Sequence, residues 1–221
     1  MKTFQALAAL LEYPTEALAN AIDEIEAVLK SERLLEPSEI DALQPLMREI
    51  AHGDLLEAQE RYVETFDRGR AASLNLFEHV HGESRDRGQA MIDLKQLYGA
   101  RGLELTARQL PDYLPVMLEY LALGSPEEAR SMLSDCAHIL QSIGSALSRR
   151  GSAYAAVLRA LERYAGADAV EASANAAAED DLTPEAVDRA WAEEPVSFLG
   201  GGCPSAASPL YTLPIAKGMR P

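Results

Sequence analysis

The sequence predicts an all-α fold, a single helical bundle, and three observations predict it. Apolar side chains recur at three- and four-residue spacing along most of residues 1–165. No run of β-branched or aromatic residues alternates with polar ones between turn signals, so no strand pattern competes. Helix start and stop signals fall where the periodicity breaks. No repeat with a period of roughly 20–50 residues is present either, which argues against a solenoid.

The elements follow in order. Phe4 to Leu11 form an apolar stretch that superficially resembles a signal sequence. It is shorter than the roughly 20 residues a bilayer span needs. Glu12 follows at once and no small-residue cleavage site is present, so it reads as a first helix. Leu18, Ile22, Ile25 and Leu29 mark a second amphipathic helix, and Leu43, Leu46, Met47 and Ile50 a third. Pro45 falls inside that third pattern, where it is expected to kink the helix or mark its true start. Leu55, Gln59, Tyr62 and Phe66 mark a fourth, N-capped by Asp54. Residues 84–100 read as helix, stopped by Gly102. Asp112, between Pro111 and Tyr113, is placed to N-cap a helix from Tyr113 whose Leu114, Met117, Leu118 and Leu121 face the core. Ser125-Pro126-Glu127-Glu128 reads as a capping box with proline in the first turn. The helix it opens carries Leu133, Cys136, Leu140, Ile143 and Leu147 on one stripe and ends near Arg149 and Arg150, cations that suit its C-terminus. Residues 152–164 form another helix, and Thr183-Pro184 opens a short last one.

Composition divides the chain. Residues 1–165 form the helical domain. Residues 166–181 are small and acidic, a linker too poor in apolar groups to offset its ordering entropy. Residues 182–221 are expected to hold the short helix and a flexible tail. Five prolines and four glycines make up a third of residues 195–221, against regular structure there. At 221 residues the chain can bury about 70% of its unfolded surface without staples. Cys136 and Cys203 sit in unlike contexts, so a disulfide framework is not expected. Aromatics are only 6%, which leaves the core mainly to leucine and alanine.

Charge narrows the partners. Lys+Arg is 20 against Asp+Glu 35, a net −15. That excludes a general nucleic-acid binder and disfavours anionic lipid. The charge is uneven. Residues 1–64 carry 14 acids against 5 bases, whereas residues 65–100 carry five of each, including Arg68, Arg70, Arg85 and Arg87. The balanced middle is where polar groups look placed rather than merely solvating.

Catalytic motifs are absent. There is no nucleophile elbow, phosphate loop, dinucleotide fingerprint or paired-histidine zinc helix. Gly200-Gly201-Gly202 lacks the lysine and hydroxyl residue of a phosphate cradle. Ser148-Arg149-Arg150-Gly151 looks like a twin-arginine export signal but lies mid-chain, with no apolar region after it. His79-Val80-His81-Gly82-Glu83 resembles a metal motif, yet on a helix residues two apart point about 200° apart and cannot share an ion. A metal hydrolase on these histidines is the weaker reading. A helical adaptor would lead on composition alone.

Longer segments point further. Leu110-Pro111-Asp112-Tyr113-Leu114-Pro115-Val116-Met117-Leu118-Glu119-Tyr120-Leu121 resembles the signature of NarJ-type nitrate reductase assembly chaperones. So do Tyr62-Val63-Glu64-Thr65-Phe66-Asp67-Arg68-Gly69-Arg70, the block from Ser73 to Met91, and Trp191-Ala192-Glu193-Glu194-Pro195-Val196-Ser197-Phe198. These chaperones (delta subunits) belong to the all-helical redox enzyme maturation chaperones. The wider family carries a Glu-Pro-x-Asp-His motif. Without gaps its Asp falls on Asp112, while Gln109, Leu110 and Tyr113 replace the Glu, Pro and His.

The resemblance implies a cytoplasmic, non-enzymatic chaperone with no metal or cofactor of its own. Its implied partner is the N-terminal segment of the nitrate reductase catalytic α subunit, with molybdenum cofactor biosynthesis proteins as further partners. No nucleic acid and no stable membrane contact are implied. Such a chaperone keeps the apo-enzyme competent for molybdenum cofactor insertion, delays membrane docking and leaves the final enzyme. The alternative is a helical adaptor, or a chaperone for another molybdoenzyme or an unrelated client. A client groove is expected between residues 68–89 and the helix beginning at Asp112. Leu74, Leu76 and Phe77 would supply apolar contact, Glu78, Asp112 and Glu119 would orient a basic client, and His79 and Tyr113 would line it. Arg85, Arg87 and Gln89 would organise the loop or meet the client backbone.

Overall fold

The computed structural model describes residues 1–80, 84–106 and 109–166. Its regular elements are helical, with one isolated antiparallel β-bridge between Asn75 and Tyr113. The centre is α1 (Lys2–Leu10), packed against α2 (Glu16–Glu32) and against α6 (Leu114–Ala122). Thr3, Phe4, Ala6, Leu7, Ala8 and Leu10 are all buried, and so is every residue of α6 except Glu119. A helix apolar on nearly all sides belongs in an interior, which is why α1 mimics the apolar region of a signal sequence. At its start the Glu32 carboxylate accepts the backbone N–H groups of Lys2 and Thr3, at 2.9 and 2.5 Å. That satisfies two donors a helix N-terminus otherwise leaves open and sets a negative charge at the positive end of the dipole.

Around this centre, α2 buries Leu18, Ile22, Ile25 and Leu29, and Thr15 accepts the Leu18 N–H at its N-terminus. The next helix, α3 (Pro37–His52), runs through Pro45 rather than starting there. Ile40 and Leu43 before the proline, and Leu46, Met47 and Ile50 after it, are buried on one continuous face. Packing on both sides holds together a helix that proline alone would weaken by about 3 kcal/mol. In α4 (Leu55–Phe66), Asp54 accepts the Leu56 and Glu57 N–H groups as expected. Two 3₁₀ turns, Arg70–Ala72 and Leu76–His79, lead to α5 (Ser84–Gly99). Gly102, at φ +77°, reverses the chain after it in a conformation that favours glycine.

Three local expectations change. The stripe from Leu133 to Leu147 is not one helix: α7 (Pro126–Asp135) ends at Cys136, and α8 (Ala137–Arg149) begins there. At Cys136 the backbone leaves the helical region, at φ −104° and ψ 12°, and its thiol donates to the carbonyls of Met132 and Leu133 in the turn before. The break lets α8 lie along α9 (Ala155–Tyr164), its main partner. Second, Ser125 does accept the Glu128 N–H, but the Glu128 carboxylate does not close the box; it turns away to Arg101 and Tyr120. Third, α9 starts three residues later than residue 152, after the turn at Gly151.

The expected linker and tail, with the Thr183-Pro184 helix and Cys203, lie outside the described residues. Among the described residues no helix is long and apolar enough to cross a membrane.

Candidate functional site

The site grows from one corner of the chain, residues 109–114, which is held from three sides. The first is the segment 73–79. Leu76 N–H donates to the Asp112 carbonyl at 3.0 Å, Leu114 N–H to the Leu74 carbonyl at 2.9 Å, and Phe77 N–H to Asp112 Oδ2 at 3.0 Å. The second is α5, whose Tyr98 hydroxyl donates to the Pro111 carbonyl at 2.8 Å. The third is α4: the Tyr62 hydroxyl donates to the Leu11 carbonyl at 2.9 Å and lies 3.1 Å from the Tyr113 hydroxyl. A short extended contact between two loops thus carries the polar groups the sequence singles out.

This arrangement corrects several expectations. Asp112 does not cap a helix from Tyr113. Tyr113 itself is the N-cap, α6 begins at Leu114, and the Asp112 side chain, 1% exposed, reaches across to Phe77. Asp112 Oδ1 is buried without a hydrogen-bond partner among the described residues. Burial raises the Asp112 carboxyl above its ordinary range, and the Phe77 N–H and the Arg87 guanidinium only partly offset that. Leu74 and Leu76, expected as client contacts, are core residues at 3% and 5% exposure. They flank the bridging Asn75, and residues two apart in an extended segment share a face, so both turn inward.

Other expected residues remain at the surface. Phe77 and Glu78 are half-buried, and Arg87 and Gln89 are exposed on α5. Gln89 bonds Asp93 one turn on at 2.8 Å, and the Arg70 guanidinium bonds the Glu78 carbonyl at 2.9 Å. His79 is half-buried with a ring nitrogen 2.8 Å from the Ser73 carbonyl, and burial holds it below the usual imidazole range. It therefore favours the neutral form. His81 lies outside the described residues, as does the side chain of Arg85. Among the described residues no group of three His, Cys, Asp or Glu side chains stands close enough to hold a metal ion.

Glu119 does not face Asp112 across one groove. It lines an open cavity of about 370 Å³ at the end of α1, with Gln5, Glu12, Tyr13 and Gln109. Burial, and then the charge of Glu119, raise the Glu12 carboxyl. In the sequence Glu12 only ends an apolar stretch, and nothing local signals that α6 returns Glu119 beside it.

The least packed element is α5. Of its residues from Arg87 onward only Tyr98 is buried; Met91 and Leu94 are half-exposed on the same face, while Ile92 and Leu97 are 52% and 40% exposed. Its contacts with other elements are slight. The Tyr98–Pro111 bond and the charge of Arg87 near Asp112 tie α5 to the corner, and Phe77 beside it is half-buried. Leu110 is itself 47% exposed.

A model of the family described as nitrate reductase delta subunit matches residues 6–160. The chain is 42% identical over 217 residues to the nitrate reductase molybdenum cofactor assembly chaperone NarJ of Escherichia coli K12, covering 96% of this chain and 92% of that one. It is 38% identical to the probable assembly chaperone NarW of the same organism, over 90% and 84% of the two chains. Against the probable chaperone NarJ of Bacillus subtilis 168 the identity is 32%, over 79% of this chain and 96% of that one.

Proposed function

The chain belongs to the nitrate reductase delta subunit family, and from that premise we propose that it is a dedicated assembly chaperone of a respiratory nitrate reductase, cytoplasmic and not an enzyme. It binds the N-terminal segment of the apo catalytic α subunit and keeps that subunit competent for molybdenum cofactor insertion. It delays docking to the membrane and is absent from the finished enzyme. The observation that carries the binding step is apolar surface beside a hydrogen-bonded polar corner: Leu110 and Ile92 are exposed, and Phe77, Met91 and Leu94 are half-buried. An amphipathic helix docks by laying its apolar face on such a surface and setting its charges against polar neighbours. Phe77 and Leu110 supply apolar contact, Glu78 faces the basic side of the client, and Arg87 and Gln89 meet its backbone. Tyr113 and Asp112 hold the corner in shape from inside, and Glu119, with Glu12, offers a second acidic wall at the end of α1.

Titration calorimetry with a synthetic peptide of the α subunit's N-terminal segment tests this. Binding is expected to weaken severalfold in Phe77→Ser and in Leu110→Ser, with the helical circular dichroism unchanged. It should also weaken as salt rises, since exposed charges are screened beyond about 10 Å at 0.1 M. Unchanged affinity in both variants would remove this surface as the binding site. In cells lacking the chain, the α subunit should accumulate without molybdenum cofactor; a fully loaded α subunit would defeat the chaperone reading.

A further inference from the structure

We infer that the open cavity at the end of α1 is a binding site for an arginine side chain of a partner protein. The client of the reading above is taken as that partner, and this part rests on that reading. The chemistry of the cavity does not depend on it, and no residue of α5 lines the cavity.

The first observation is that the cavity is built from remote parts of the chain. Gln5 comes from α1, Glu12 and Tyr13 from the turn after it, Gln109 from the corner, and Glu119 from α6. The walls are fixed by contacts of their own. Tyr62 on α4 donates to the Leu11 carbonyl at 2.9 Å, and its ring meets the Tyr13 ring edge-on, with centroids 5.5 Å apart. Gln59 on the same helix donates to the Pro14 carbonyl at 2.9 Å. The helices that carry Gln5 and Glu119 pack against each other. A volume of about 370 Å³ falls within the roughly 300–1,000 Å³ of ligand pockets. Walls already in place lower the ordering cost of binding.

The second observation is that the lining calls for a cation. The charge of Glu119 reaches Glu12 and helps to raise its carboxyl. Neither carboxylate has an ion pair or hydrogen bond among the described residues, and the same holds for the Gln5 amide. No Lys, Arg or His lines the cavity. The acceptors therefore face one another, and the group that matches them is positive and rich in donors. A chain of net charge −15 draws such a group in from a distance.

The third observation selects arginine over lysine. A guanidinium carries five donors in a planar fork, which can divide between carboxylates on two different elements; an ammonium is a point charge. Tyr13, 43% exposed, supplies a ring in the cavity wall on which a guanidinium stacks. The same molecule already uses this combination elsewhere. Arg101 stands 4.5 Å over the Tyr120 ring while its guanidinium pairs with the Glu128 carboxylate. At the end of α1 the ring and the carboxylates belong to this chain, and the guanidinium is the partner's.

The experiment is an NMR titration of the full-length protein with three probes: Nα-acetyl-argininamide, Nα-acetyl-lysinamide and the neutral Nα-acetyl-citrullinamide. The arginine probe should shift the side-chain amide signals of Gln5 and Gln109 saturably. The lysine probe should bind severalfold more weakly, and the citrulline probe should cause no saturable shift. Glu12→Gln combined with Glu119→Gln should abolish arginine binding and leave the thermal midpoint no lower, because a like-charge repulsion is removed. Glu119→Gln alone, at an exposed position, should weaken it severalfold, so the test stands even if the double variant fails to fold. Tyr13→Leu should narrow the gap between arginine and lysine. In calorimetry the double variant, or Glu119→Gln in its place, should bind the α-subunit peptide severalfold more weakly. Absence of a saturable shift overturns the inference, as does lysine binding as tightly as arginine or binding that survives Glu119→Gln. Peptide affinity unchanged in these variants also overturns it, while Phe77→Ser and Leu110→Ser judge peptide binding at the other surface. Arginine binding with no peptide binding to the unaltered protein upholds the site and defeats the peptide reading instead.

Discussion

Asp112 is the residue whose chemistry is most altered by the fold. Its carboxyl is raised by burial while one oxygen accepts the Phe77 N–H and the other has no hydrogen-bond partner among the described residues. A raised folded-state pKa means that the group favours folding while protonated, and that this contribution is lost as pH rises through the folded value. Asp112→Asn keeps the shape and avoids the ionisation. Its stability relative to the unaltered protein should therefore improve from pH 5 to pH 8, measured by urea unfolding. Asp112→Ala leaves the Phe77 N–H without its acceptor and should cost about 1–3 kcal/mol. A constant difference between Asp and Asn across that pH range would show that Asp112 is ionised throughout. Cys136 makes a second case. Burial pushes its thiol up to about 12, and the thiolate is the reactive species. In a Cys203→Ser background the remaining thiol should react with a disulfide reagent at pH 8 far more slowly than free cysteine, and reach the free rate only in denaturant.

Among the elements, α1 and α5 are opposites. The first is buried on nearly every side and capped by Glu32; the second is held chiefly by Tyr98 and Leu94. Local opening free energy follows buried contact, so helices in one bundle need not open together. Amide hydrogen exchange should show the first turns of α5 exchanging fastest among the helices, and α1 and α6 slowest. Tyr98→Phe removes the bond to the Pro111 carbonyl and should cost about 1 kcal/mol. It should raise exchange at α5 and at residues 109–113 together, because that hydroxyl is what joins them. Equal protection of α5 and α1 would sink this account. The junction of α7 and α8 belongs to the same scale. Periodicity continues across Cys136 and no glycine or proline marks it, so the sequence reads as one helix. The turn exists because α8 gains its partner, α9, only by changing direction.

At the level of the whole molecule, two sets of carboxyls act in opposite directions with pH. Burial raises Glu12, Asp112 and Glu162, so their contribution is lost as pH rises. Hydrogen bonds lower Glu26 and Glu128, and in Glu32 burial raises the carboxyl but its several hydrogen bonds to Lys2 and Thr3 together outweigh that; the contribution of all three is lost as pH falls. The second set lies near the surface, where solvent screens such pairs to a small value. The buried set should prevail, and a net charge of −15 adds self-repulsion as pH rises. Thermal unfolding should therefore show a higher midpoint at mildly acidic pH than at pH 8; a midpoint still rising at pH 8 would reverse that ranking. Glu162→Gln should recover part of the loss at pH 8. By itself the sequence determined the helical class, most helix faces and the family. These are properties of spacing and residue type, and each is local. The tertiary structure alone decided that Leu74 and Leu76 turn inward, that Asp112 holds a neighbouring loop instead of capping a helix, and that Glu119 meets Glu12. Each depends on which distant backbone group lies opposite, and the packing of α1 against α6 sets that, not the residue's own neighbours in the chain.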